Sequence, residues 1–88
     1  MRKIEFTVRD ELGLHARPAG LLVKLAQGFA CESIIHLART DKTASLKRLL
    51  AVMGLGVKGG DSITITSSGT DEDAAADAIE VWLEENLG

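Results

Sequence analysis

Ile4, Phe6 and Val8 alternate with Lys3, Glu5, Thr7 and Arg9, the period of two expected of a strand with one buried face. From Ala16 to about Gln27 the period changes. Leu22, Ala26 and Phe29, joined by Ala19, Val23 and Leu25, form a wide apolar helical face, while Lys24 and Gln27 stay outside it. Residues 10–14 between these elements read as a loop punctuated by Gly13. Pro18 falls in the first helical turn, where its missing N–H costs no internal bond, and Gly28 is the expected terminator. Residues 33–37 and 43–46 read as two short strands around a polar hairpin of Arg39, Thr40 and Asp41. No Asn-Gly or Asp-Gly pair sets their register. Residues 47–54 have helical spacing in Leu49, Leu50 and Met53, and Gly54 and Gly56 stop them. Gly59-Gly60-Asp61 is a turn, followed by a fourth strand over 62–67 that alternates through Ile63 and Ile65. A last helix starts after Ser68-Gly69, capped by Thr70 or Asp71 and acidic in its first turn. Its expected buried face is Ala75, Ala78, Ile79, Trp82 and Leu83.

The order β-α-β-β-α-β-α, with alternating strands, predicts an α+β open-faced sandwich. A four-stranded antiparallel sheet would carry three helices on one face and leave the other to solvent. Eighty-eight residues suffice for one core, so residues 1–88 form a single domain. Aromatic residues make up only 3% of the chain, so that core must be built from Ile, Leu, Val and Ala.

A net charge of −3 argues against non-specific binding to nucleic acid or to an anionic membrane. No apolar run approaches the roughly 20 residues of a membrane span. Met1-Arg2-Lys3 leads into alternation and not into the apolar stretch of a signal peptide. Cys31 is the one cysteine, which excludes an internal disulfide and fits a reducing compartment; a cytoplasmic location is expected. Two histidines and one cysteine at wide spacing indicate no metal site. Gly54, Gly56, Gly59 and Gly60 do not make a phosphate-binding P-loop, because Lys58 precedes its glycine pair instead of following it.

The chemistry concentrates in Gly13-Leu14-His15-Ala16-Arg17-Pro18. The segment sets an imidazole ahead of a helix, with a guanidinium two residues on. A helix start presents unpaired N–H groups and a partial positive charge, a seat for phosphate. A neutral imidazole at its mouth is a nucleophile that can take up the phosphoryl group itself. The N–H groups of Ala16 and Arg17 would receive that group, and the Arg17 guanidinium would neutralise its oxygens. No carboxylate lies between Leu12 and Leu25 to repel it. The plainer reading is a capping or surface histidine beside a simple anion-binding helix start.

Gly13-Leu14-His15-Ala16-Arg17-Pro18-Ala19 resembles the active-site signature of the HPr family, the histidine-containing phosphocarriers of the bacterial sugar phosphotransferase system. Ser45-Leu46-Lys47, Leu49, Leu50 and Val52-Met53-Gly54-Leu55-Gly56 resemble the family's second signature. Gly60-Asp61, Ile63-Thr64-Ile65 and Ser68-Gly69 also follow its pattern, so the likeness spans essentially the whole chain. The resemblance implies the same open-faced sandwich, phosphorylation of His15 through Nδ1, and Arg17 as the phosphate-stabilising partner. It implies enzyme I as donor and the A-component of a sugar-specific enzyme II as acceptor, with no cofactor. It also implies that Leu49, Leu50 and Met53 belong to the docking surface; a cytoplasmic monomer is expected, with Arg48 beside them on that surface. At helical spacing about half of the apolar trio should instead be core, with Leu50 and Met53 divided between the two jobs.

Three departures from the family pattern stand out. Arg48 occupies the position of the regulatory serine, so a serine kinase would find no hydroxyl there. In this fold Arg48 is expected near His15, where it could recruit an acidic partner. Residues 30–33 carry about two extra residues, placed in the turn after the first helix. Gly20 replaces a larger side chain and weakens that helix by up to ~1 kcal/mol against alanine. The altered position 48 leaves room for a regulatory interaction module on the same scaffold. A carrier feeding dihydroxyacetone kinase or a nitrogen-related branch is a further alternative. Of the remaining residues, His36 is expected on the wet sheet face and Trp82 as a core anchor. Asp71, Glu72 and Asp73 need no more than the helix dipole to explain them.

Overall fold

The structure, a computed structural model, describes all 88 residues. Its elements are β1 (Arg2–Thr7), α1 (Ala16–Gln27), β2 (Glu32–Leu37), β3 (Lys42–Ser45), α2 (Leu49–Gly54), β4 (Ser62–Ser68) and α3 (Glu72–Leu87). The four strands form one antiparallel sheet in the order β1-β4-β2-β3. This is the open-faced α+β sandwich expected from the alternation.

Register follows from which side chains need cover. Ile4 lies opposite Ile65, and Ile65 opposite Ile35, so one row across three strands is apolar and buried under the helices. The next row, Glu5, Thr64 and His36, points to the other side and stays wet. A slip of one residue would invert both rows, which is why the pattern holds the register without an ideal hairpin turn. Asp41 closes the β2–β3 hairpin at φ +57°, the left-handed conformation that Asp tolerates better than most residues. Its carboxylate bonds to His36 Nε2 at 2.7 Å, on the wet face where that histidine was expected.

Several boundaries differ from the sequence pattern. β1 ends at Thr7, the last residue paired with β4, although Val8 remains buried. Leu46 lies past the end of β3 yet is fully buried. In α3 the core side is Ala75, Ala76, Ile79, Leu83 and Leu87; Ala78 and Trp82 are half-buried at its margin. Trp82 therefore packs against the core from the rim and does not anchor it.

The acidic start of α3 does more than answer a dipole. Asp71 occupies the cap position without making a cap bond. Its two oxygens accept the N–H groups of Ala30 and Cys31 at 2.7 and 2.8 Å, tying down the turn that follows α1. Glu72 pairs with the Met1 amino group, and Asp73 and Asp77 share Arg2, so α3 is pinned to β1. No helix is long and apolar enough to cross a membrane.

Candidate functional site

His15 is the N-cap of α1. Its backbone is extended (φ −83°, ψ −174°), and its carbonyl accepts the Ala19 N–H at 2.9 Å. The imidazole is exposed and makes no capping hydrogen bond, which leaves both ring nitrogens free. Ala16 and Arg17 follow as the first helical residues, and their N–H groups have no backbone acceptor. Pro18 contributes no third donor, which its place in the first turn makes harmless. Arg17 is exposed, and its guanidinium takes part in no hydrogen bond or ion pair. The first turn holds no acidic residue. The arrangement is a surface imidazole beside two open amides and one unpaired cation.

The loop before His15 is set by close backbone packing. Asp10 accepts the Gly13 N–H through its carbonyl and the Leu12 N–H through its carboxylate. Leu14, buried, donates its N–H to Val57 O at 3.1 Å. Gly13 sits at φ +65°, and a Cβ there would come within 2.6 Å of Lys58 Cα. Glycine is needed at 13 on both counts.

Around the site, α2 carries the second group of expected residues. Leu49, Leu50 and Met53 are 39%, 83% and 39% exposed, and Val52 alone of this helix is buried. The expected division of Leu50 and Met53 between core and surface is not observed. A six-residue helix turns one narrow side inward, and Val52 fills it, with Leu46 and Leu55 buried just beyond its ends.

Arg48 is the exposed N-cap of α2 and makes no cap bond. Hydrogen bonds beside it fix the approach of the chain to α2. Gln27 Nε2 reaches Lys47 O, and Lys47 Nζ reaches Phe29 O, so α2 begins beside the C-terminal end of α1. The chain after α2, residues 56–58, is what lies against the His15 loop.

No cluster of His, Cys, Asp or Glu could hold a metal ion. None of the surface concavities includes His15 or Arg17. The imidazole is exposed outside any of these concavities, so a cleft around it would have to come from another protein.

A small open-faced sandwich that presents an uncommitted histidine at a helix start with open amides is the architecture of a histidine phosphocarrier. The family model for the PTS HPr component phosphorylation site matches residues 2–85. The chain belongs to the HPr family. It is 46% identical over 85 residues to the phosphocarrier protein HPr of Lysinibacillus sphaericus, covering 97% of this chain and 94% of that one. Against the phosphocarrier protein HPr of Mycoplasma pneumoniae it is 37% identical over 86 residues, covering 98% and 97%. Among solved structures, a Mycoplasma histidine-containing phosphocarrier protein superposes with a TM-score of 0.90 at 36% identity, over 96% of this chain and 93% of that one. HPr-C-His from Thermoanaerobacter tengcongensis gives 0.89 at 29% identity, over 97% and 93%.

Proposed function

We propose that this chain is a phosphoryl relay that accepts the group from enzyme I on His15 and passes it to the A-component of a sugar-specific enzyme II. In the uptake step the P–N bond to a donor histidine breaks as a new one forms to Nδ1 of His15. His15 attacks with its ring proton on Nε2; the donor ring, carrying its own proton on the nitrogen that does not hold phosphorus, leaves with the electron pair as a neutral imidazole, so the positive charge passes to the His15 ring with the phosphoryl group. The Ala16 and Arg17 amides and the Arg17 guanidinium balance charge on the phosphoryl oxygens during the exchange. The second transfer reverses these roles. The protein works in the cytoplasm as a monomer, and Leu49, Leu50, Met53 and Arg48 form part of the surface its partners cover.

The observation that supports this reading best is the unused His15 side chain at the head of α1. A histidine side chain retained for structure would hydrogen-bond to the helix start or pack in the core, and this ring does neither. A purely regulatory docking module would have no need of His15 and Arg17 together.

The test is incubation of the pure protein with phosphoenolpyruvate and enzyme I. A mass gain of one phosphoryl group, labile in acid and absent from His15→Ala, is expected. Labelling that persists in His15→Ala, or none in the wild type, refutes the relay.

A further inference from the structure

We propose that Arg39 and Asp61 are positioning residues for His15, acting through the segment 56–61 on which the active-site loop rests. The proposal deepens the relay reading and depends on it for its catalytic part.

Arg39 lies in the β2–β3 hairpin, remote in sequence from the site. Its Nε and Nη2 grip Asp61 Oδ1 and Oδ2 at 3.0 and 3.1 Å, a two-pronged pair, and Nη2 also donates to Gly56 O at 3.0 Å. Asp61 in turn accepts the Lys58 N–H at 2.8 Å. These bonds hold both ends of a short arc. The middle of that arc is Val57, whose carbonyl takes the Leu14 N–H, and Lys58, whose Cα would lie 2.6 Å from a Gly13 Cβ. A second contact closes from the other side: a Cβ on Gly59 would fall 2.8 Å from Asp10 O. Loop 10–14 and arc 56–60 thus fit with no slack, and any movement of the arc must carry Leu14 and His15 with it.

Geometry gives the pair a role beyond surface charge. Asp61 is only 10% exposed in its side chain, while Arg39 is 48% exposed. The carboxylate is therefore tucked under the arc and the guanidinium covers it. Arg39 together with the Lys58 amide holds the Asp61 carboxyl below its ordinary value, which keeps the acceptor charged. Arg2 makes equally direct bonds to Asp73 and Asp77, but those join β1 to α3 and touch nothing near His15. Arg2 supplies the internal control.

The experiment compares Arg39→Gln, Arg39→Lys and Arg2→Gln with the wild type. It uses phosphorylation by enzyme I and NMR of the Leu14 amide and His15 ring. For Arg39→Gln, kcat should fall on the order of tenfold with KM nearly unchanged, because α1 and α2 still present the same docking surface. The Leu14 and His15 resonances should move. Arg39→Lys keeps the charge but loses the fork and should lie between. Arg2→Gln should leave both readouts in place. Wild-type kcat and wild-type His15 shifts in Arg39→Gln, or a change confined to KM, overturn the proposal. If the wild type itself takes no phosphoryl group, the relay falls and the catalytic role of the pair falls with it; the NMR comparison, which needs no partner, then still decides whether Arg39 and Asp61 position Leu14 and His15.

Discussion

The amide of Leu14 donates to the carbonyl of Val57 at 3.1 Å, and this one bond fixes the residue that precedes His15 to a segment more than forty positions later. It exists because Gly13 allows the chain to lie flat on Lys58 in a left-handed turn. His15 is thus exposed but not loose: its backbone is held by Leu14 on one side and by the helix hydrogen bond to Ala19 on the other.

Gly13→Ala should therefore be costly in two ways. The residue must hold φ near +65°, and its new methyl meets backbone atoms that cannot rotate away. A loss of about 1–3 kcal/mol in unfolding free energy is expected from the strained conformation alone. Urea denaturation reads the stability, and the Leu14 amide should lose protection against hydrogen exchange. Wild-type values for both would show that the close packing at 13 is not constraining.

Gly20→Ala should have the opposite sign. Gly20 lies inside α1, and a Cβ there meets nothing within 4 Å. Alanine in an unobstructed helix interior gains about 0.5–1 kcal/mol over glycine by restricting the unfolded chain and favouring the helix. For a domain of this size that corresponds to a rise of roughly 4–8 °C in Tm per kcal/mol. An unchanged or lower melting temperature would mean that the methyl disturbs the surface in a way the open space does not suggest.

Much of this molecule was legible in its pattern of side chains. The seven elements and their order follow from a period that switches between two and 3.6, and the His15 helix start follows from Gly13, Pro18 and the absence of acid. What escaped was tertiary. Ala74-Ala75-Ala76 and Ala78 give α3 small residues on several sides, so the helix could turn either Ala76 or Ala78 inward without penalty to its pattern. Two residues that looked like dipole partners, and one that looked like part of a polar hairpin, instead make long-range bonds: Asp71 to the turn after α1, Glu72 to the N-terminus, and Arg39 to Asp61. No local spacing announces contacts made across 22 to 71 positions.

Those carboxylates set the response to acid. The Ala30 and Cys31 amides lower Asp71, the Met1 amino group lowers Glu72, and Arg39 lowers Asp61. A carboxyl that is depressed on folding stabilises fully above its ordinary value, 3.8 for Asp and 4.5 for Glu. The contribution shrinks as pH falls from there through the lower folded value. The urea midpoint should accordingly drop between about pH 5 and about pH 2, and Asp71→Asn should flatten part of that drop. A midpoint that stays level across this range would mean the three groups titrate alike in folded and unfolded chains.

Ser33 and Ser67 are the two buried polar side chains of the core, directly opposite on β2 and β4, with their hydroxyls 2.7 Å apart. Each hydroxyl has the other as its partner, and each is closed off from water, at 2% and 0% exposure. Ser33→Ala alone should therefore strand the Ser67 hydroxyl and cost about 1–3 kcal/mol, the penalty of a buried group left unpaired. Ser67→Ala should strand Ser33 to the same degree. The double variant removes both groups at once and leaves two methyl groups in place of the hydrogen-bonded pair, so its stability should return close to that of the wild type. Urea denaturation of the four proteins gives the coupling directly, and single-variant losses that add to within about 0.5 kcal/mol would show that the two hydroxyls do not depend on one another.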